Sequence, residues 1–189
     1  MESCITFKNL SIGYRPKHQL RVIASAVSAS LHPGELTCLI GANGVGKSTL
    51  LRTLCGFQPA LDGEILLQDQ PLSAYPAQQL ARQIGVVLTS RIDVPQLSVK
   101  EIVGIGRSPY TNFWGTLTPA DQQIVDEAIH QVGIPHLAQR NISELSDGER
   151  QKTMIAKALA QQTRIIILDE PTAFLDFPSK IETLQMLRR

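Results

Sequence analysis

Apolar and polar residues alternate in short blocks over residues 5–13 and 20–31, the two-residue rhythm of strands with one buried face. Residues 35–40 form a compact apolar run that stops at Gly41, which predicts a buried strand. Leu50, Leu51 and Leu54 then recur at helical spacing, so a helix is expected over residues 47–55. Further strands are predicted over residues 63–68 and 85–88.

From about residue 98 to 162 the rhythm turns helical. Ser98 with Glu101 and Ser146 with Glu149 have the spacing of capping boxes, which start helices by satisfying their first amides. Thr118, Pro119 and Asp121 open another helix, with proline at its first position and an acid in its first turn. Its apolar face is Ile124, Val125, Ala128, Ile129 and Val132, and Gly133 is placed to end it. Between the first two helices lies a loop, residues 108–115, rich in turn formers and aromatics. An aliphatic strand returns at residues 165–168, and a last helix begins at Pro178 with Ile181, Leu184 and Leu187. The order is strands, a glycine-rich loop, a helical block of residues 98–162, then a strand. An α/β core with a helical insertion is the simplest architecture that accommodates it.

The chain has 189 residues, one large domain or a domain cut short, and is long enough to bury a core without staples. Its formal net charge of +1 gives no electrostatic cue for nucleic acid, so no nucleic-acid partner is expected. Cys4, Cys38 and Cys55 form no C-x-x-C pair, which suits buried small side chains in a reducing cytosol. The N-terminus shows no basic region followed by an apolar one, and no run approaches the roughly 18 apolar residues of a membrane helix. A soluble, cytoplasmic protein is expected, with any membrane role coming through a partner.

Gly41, Ala42, Asn43, Gly44, Val45, Gly46, Lys47 and Ser48 match G-x-x-x-x-G-K-[ST], between a predicted strand and a predicted helix. Glycines let such a loop curl so that its amides converge on phosphates, and the helix start adds a positive dipole end. Lys47 would reach the β- and γ-phosphates of ATP, Ser48 would ligate Mg2+, and Thr49 would add a hydroxyl contact to the α-phosphate. A second cue is the aliphatic strand 165–168 ending in Asp169 and Glu170, acids at the carboxyl end of a core strand where α/β folds place ligands. Asp169 would hold Mg2+, and Glu170 would orient or deprotonate an attacking water.

With these in hand, the whole chain resembles the ABC ATPase family: a P-loop NTPase core with an N-terminal antiparallel β-subdomain and an inserted α-helical subdomain. Leu145, Ser146, Asp147, Gly148, Glu149, Arg150, Gln151 and Lys152 resemble its signature, usually written L-S-G-G-Q. The resemblance implies that Ser146, Gly148 and Glu149 contact the γ-phosphate of ATP held by a second subunit in a head-to-tail dimer. Pro171 to Asp176 resemble the family's D-loop, and Tyr14 is similar to the aromatic that stacks on adenine. An alternative for Tyr14 is a strand aromatic packed in the β-subdomain.

The chain departs from the family pattern in four places. Asp147 and Glu149 replace a glycine and the glutamine of the signature, adding negative charge where a phosphate is expected. Glu149 would serve as the reciprocal half of the capping box, and Asp147 would be held by the helix dipole, Arg150 or a partner subunit. Thr89 stands where the family carries a glutamine that senses Mg2+; its hydroxyl would reach the metal through water. The family's histidine, well past its D-loop, would fall beyond Arg189, so the resemblance implies a C-terminally truncated ATPase domain.

Residues 101–110, with Gly106, Arg107, Pro109 and Tyr110, are similar to ATPases of iron–siderophore, haem and cobalamin importers. In those proteins the stretch lies near the membrane subunit. Tyr110, Phe113 and Trp114 concentrate aromatics in one loop, either as an interface patch or as a small satellite core. The expectation is therefore an ATP-hydrolysing importer subunit, working as a dimer under transmembrane permease subunits at the inner face of the membrane. Two alternatives stay open: a nucleotide-binding module without turnover, and a soluble non-transport ABC ATPase.

Overall fold

The computed structural model describes residues 3–15, 19–88, 96–173 and 175–187. It divides the chain into two compact units, Met1–Leu80 and Ala81–Arg189.

The N-terminal unit is built on an antiparallel sheet. β1 (Ile5–Tyr14) pairs with β2 (Arg21–Leu31) on one side and with β3 (Asp62–Leu67) on the other, and β4 (Gln70–Pro71) completes the order β2-β1-β3-β4. The expected alternation is present: Ile5, Phe7, Leu10 and Ile12 of β1 are buried. It changes phase at Asn9, where φ is 48° and the register with both neighbours shifts, and the register with β2 shifts again on either side of Ile12. Gly63 sits against this bulge at φ 83°, and a Cβ there would overlap the Asn9 carbonyl, so only glycine fits. α1 (Lys47–Leu54) follows the glycine-rich loop, and α2 (Ala77–Leu80) ends the unit.

One expected strand is not formed. Residues 35–40 are in no ladder, and Leu36, Leu39 and Ile40 are exposed. An apolar run states which side chains favour burial, but a strand also needs an edge to pair with. No described strand pairs with this segment.

In the C-terminal unit β5 (Ile84–Val87) and β6 (Ile165–Leu168) form a parallel pair, in register from Ile84↔Ile165 to Val87↔Leu168. Between them come α3 (Val99–Gly104), α4 (Pro119–Gln131) and α5 (Asp147–Ala160), and after them α6 (Phe177–Leu187). Val99, Ile102, Val103, Val125, Ile129, Ile134, Leu137, Ile142 and Ile155 fill one core with the strands' Val87. Both expected capping boxes are made, and Thr118 with Asp121 forms a third that opens α4. The Asp121 carboxylate accepts from the Thr118 hydroxyl at 2.6 Å and its amide at 3.0 Å.

The stretch from Gly106 to Tyr110 is internal at its start: Gly106 and Arg107 are buried, whereas Ser108 and Tyr110 are exposed. It lies in a 3-10 turn, Ile105–Tyr110, where a Cβ on Gly106 would overlap the Lys157 carbonyl of α5. Arg107 is 5% exposed and serves three elements at once. Its Nε donates to Asp121 Oδ1 at 2.9 Å, and Nη1 donates to Ala160 O at 2.8 Å and Gln162 Oε1 at 3.2 Å. Its guanidinium carbon lies 4.1 Å from the Tyr110 ring centroid, and that of Arg82 lies 5.1 Å away. Tyr110 thus lies against two guanidinium groups while 36% exposed, whereas Phe113 (95% exposed) and Trp114 (83%) stand out edge to face, 5.5 Å between centroids.

Removing one partner of a buried ion pair strands the other, so Arg107→Met is expected to cost about 3 kcal/mol in chemical denaturation. The Thr118 hydroxyl, then its amide, then Arg107, hold the Asp121 carboxyl below the usual aspartate value. A carboxyl depressed by folding contributes stability above its unfolded value, near 4, and loses it as pH falls through the lower folded value. Stability measured from pH 7 to 3 should therefore decline less steeply for Asp121→Asn than for the wild-type chain.

Candidate nucleotide site

The phosphate-loop residues are brought together as the motif requires. Gly46 is the N-cap of α1 at φ 108°, and Gly44 is also left-handed at φ 78°. Both angles strain any residue but glycine. A Cβ on Gly46 would overlap Ile23 of β2 and touch Ile12 of β1, so the loop's last turn rests directly on the sheet. Gly41, Ala42, Asn43, Gly44 and Val45 are exposed, whereas Gly46, Lys47 and Ser48 are half-buried. Lys47 Nζ folds over the loop and donates to Gly41 O and Ala42 O, both at 2.9 Å. The first amides of α1 lack intrahelical acceptors and lie beside this ammonium at the positive end of the helix dipole. That set of donors fits a polyphosphate.

Thr49 is buried, and its Oγ1 lies 2.9 Å from the Tyr14 hydroxyl. Tyr14 ends β1 with 42% of its surface exposed, while its hydroxyl is tied to α1. Neither residue's partner was legible in the sequence, since the two stand 35 positions apart.

In the C-terminal unit, Asp169 continues the ladder past β6: its amide donates to Val87 O at 2.9 Å, and its side chain is buried. Glu170 is exposed and left-handed at φ 49°, so the backbone leaves the strand within one residue. The Ala173 amide closes the following turn on Glu170 O. Asp176 accepts from the Ser179 amide at 3.3 Å as α6 begins, and Leu175 is buried. Thr89 and Phe174 lie outside the described residues.

Among the described residues no cluster of three or more His, Cys, Asp or Glu is placed to hold a metal ion. Mg2+ does not demand one, because it is bound through one or two protein oxygens with phosphates and water completing the shell. The Ser48 hydroxyl and the Asp169 carboxylate are donors of the fitting kind.

The signature-like segment is an intact helix start. Ser146 N-caps α5, taking the Glu149 amide at 3.3 Å, while the Glu149 carboxylate accepts from the Ser146 hydroxyl at 2.7 Å and its amide at 2.8 Å. These bonds, the hydroxyl's first, hold the Glu149 carboxyl below its ordinary value. Asp147 receives Arg150 Nη1 at 3.2 Å, and the same guanidinium reaches back to Ile142 O and Leu145 O. Gly148 faces α6, where a Cβ would lie 3.1 Å from Ser179 Oγ. Both added acids are thus engaged within their own unit. In the sequence Arg107 stands out only within the importer-like stretch, where a lone arginine after a glycine in an otherwise apolar run signals its buried role.

Comparison with known proteins agrees with this geometry. The family model described as ABC transporter matches residues 24–173. The chain is 41% identical over 182 residues to an uncharacterized ABC transporter ATP-binding protein of Methanocaldococcus jannaschii, covering 96% of the chain and 61% of that relative. It is 34% identical over 180 residues to the ferric enterobactin transport ATP-binding protein FepC of Escherichia coli, covering 95% of the chain and 65% of FepC. Among solved structures, cbiO1 of Clostridium perfringens, part of the ABC transporter complex cbiONQ, superimposes with a TM-score of 0.83 at 28% identity. That match covers 100% of this chain and 73% of cbiO1. The chain therefore spans roughly two thirds of the length of these relatives, and no helix among the described residues is long and apolar enough to cross a membrane. By the family model, the two sequence relatives and the loop–helix geometry together, the chain belongs to the ABC transporter ATP-binding family.

Proposed function

We propose that the chain is the ATP-binding and hydrolysing part of an ABC importer, with a metal-chelate or cobalamin-type cargo. The cargo class rests on the names of relatives, among them transport proteins for ferric enterobactin and achromobactin and a cobalamin import protein. The observation that carries the ATPase reading is the left-handed Gly46 capping α1, with Lys47 Nζ folded over the loop.

On this reading loop 41–48 binds the triphosphate through its amides, and Lys47 exchanges its two carbonyl acceptors for β- and γ-phosphate oxygens. Ser48 and Asp169 are the residues that would hold Mg2+, which when bound would offset charge on the phosphate oxygens. Glu170, exposed at the end of β6, orients the attacking water and takes its proton. Ser146, Gly148 and Glu149 would face the ATP of a second copy, head to tail, so that hydrolysis depends on pairing. Permease subunits would hold the pair at the inner membrane face, with the exposed Phe113 and Trp114 among the contacts.

Phosphate release by the chain with Mg-ATP tests the reading against its alternatives. Glu170→Gln should lower turnover by about 100- to 1,000-fold while ATP binding persists, because only the proton-accepting step is removed. Lys47→Ala should lose binding itself. Binding without turnover in the wild-type chain would favour the nucleotide-binding module, and equal turnover with Glu170→Gln would sink the role given to Glu170.

A further inference from the structure

Thr49 differs from two other helical threonines of this chain. Thr53 Oγ1 donates to Thr49 O at 2.8 Å and Thr153 Oγ1 donates to Glu149 O at 2.9 Å, each folding back on its own helix. Thr49, one turn before Thr53, pairs its hydroxyl instead with Tyr14 across the strand–helix contact. The pairing is embedded in a polar network on the buried face of α1. Gln58 Nε2 donates to Thr53 Oγ1 at 3.0 Å and lies 3.5 Å from Gly13 O, so Gln58 bridges the end of β1 to the helix. Thr53 is fully buried, and Thr49 is 6% exposed. Gly13 and Tyr14 on the strand side, and Thr49, Thr53 and Gln58 on the helix side, thus hold one another in place.

A hydroxyl has one proton to give and two lone pairs to receive. If the Tyr14 phenol donates to Thr49 Oγ1, the Thr49 proton is left to be given elsewhere, and the phenol's donation polarises it. Thr49 lies in the first turn of α1, directly after the phosphate loop. Resting on the nucleotide-site reading above, we infer that Tyr14 is a positioning residue for phosphate: its hydroxyl acts through Thr49 to aim the threonine proton at a phosphate oxygen. Tyr14 then has two separable parts. The ring, on a residue 42% exposed, would serve a base, and the oxygen serves the phosphate end.

The test separates the two parts with a ligand that has no base. Magnesium tripolyphosphate and Mg-ATP are titrated calorimetrically into the wild-type chain, Tyr14→Phe, Thr49→Val, Thr49→Ser and the double variant Tyr14→Phe/Thr49→Val. Tyr14→Phe keeps the ring and loses one hydrogen bond, so it should weaken both ligands by the same factor, about three- to tenfold. Thr49→Val should weaken both at least as much, Thr49→Ser should restore binding, and the double variant should be no weaker than Thr49→Val because the pair acts as one. Wild-type affinity of Tyr14→Phe for tripolyphosphate would overturn the inference, as would losses that add in the double variant or a Thr49→Ser chain as weak as Thr49→Val. Those results leave the nucleotide reading intact. A wild-type chain that binds neither ligand overturns that reading, and the inference with it.

Discussion

The contact between Gly46 and Ile23 constrains much of the N-terminal unit. A residue at φ 108° directly before a helix must be glycine, and its missing Cβ lets the loop settle onto β2 and β1. This fixes where α1 begins, and so where its first amides and the Lys47 ammonium are placed. The sheet must then present Ile12 and Ile23 to the loop although β1 is bulged at Asn9 and its register with β2 shifts again on either side of Ile12. The bulge makes this possible: it resets the phase of burial, so that Leu10 and Ile12 are buried again after Lys8 and Asn9 face outward. Gly63 is the matching concession on β3, where no side chain could pass the bulge.

Arg107 plays the corresponding part in the C-terminal unit, by charge rather than by absence of a side chain. Its bonds reach the start of α4 through Asp121 and the end of α5 through Ala160 O. Desolvating a guanidinium costs several kcal/mol unless its donors are met. Here they meet a carboxylate, a carbonyl and an amide oxygen, with an aromatic ring against the guanidinium plane. Asp121 is shared with the capping box of α4, so the same carboxylate closes a helix start and neutralises a buried cation. The other end of α5 is the signature-like cap, which joins the two features through one rigid helix.

What the sequence made legible was local. Capping boxes, the proline opening α4 and the glycine ending it are decided within a few residues, and the positions expected for them are the positions found. The phosphate loop belongs to the same class, since its glycines answer to backbone angles in the loop itself. Long-range pairings were not legible. Residues 35–40 have the composition of a core strand, yet composition cannot supply a neighbouring edge, and the run stays outside any ladder. Arg107 with Ala160, 53 positions apart, and Tyr14 with Thr49 depend on how elements pack, which periodicity does not encode. Tyr14 was readable as an exposed aromatic or a packed one, and its oxygen makes it partly both.

The acids at the signature-like cap bear on how a phosphate could be received there. A bare carboxylate near an incoming phosphate repels it, and the repulsion grows as water leaves. Glu149 is not bare: it holds the Ser146 hydroxyl and amide, so its charge is spread over two short hydrogen bonds. The same bonds, however, commit the Ser146 proton. Under the proposed pairing, a phosphate from a second copy would have to draw that hydroxyl away from Glu149, or else rely on the backbone around Gly148 and the helix dipole alone. A glutamine at the third position offers a neutral oxygen and a weaker claim on the serine. Glutamate therefore makes a tighter cap and a more reluctant donor, which shifts weight in phosphate recognition from the serine hydroxyl to the backbone.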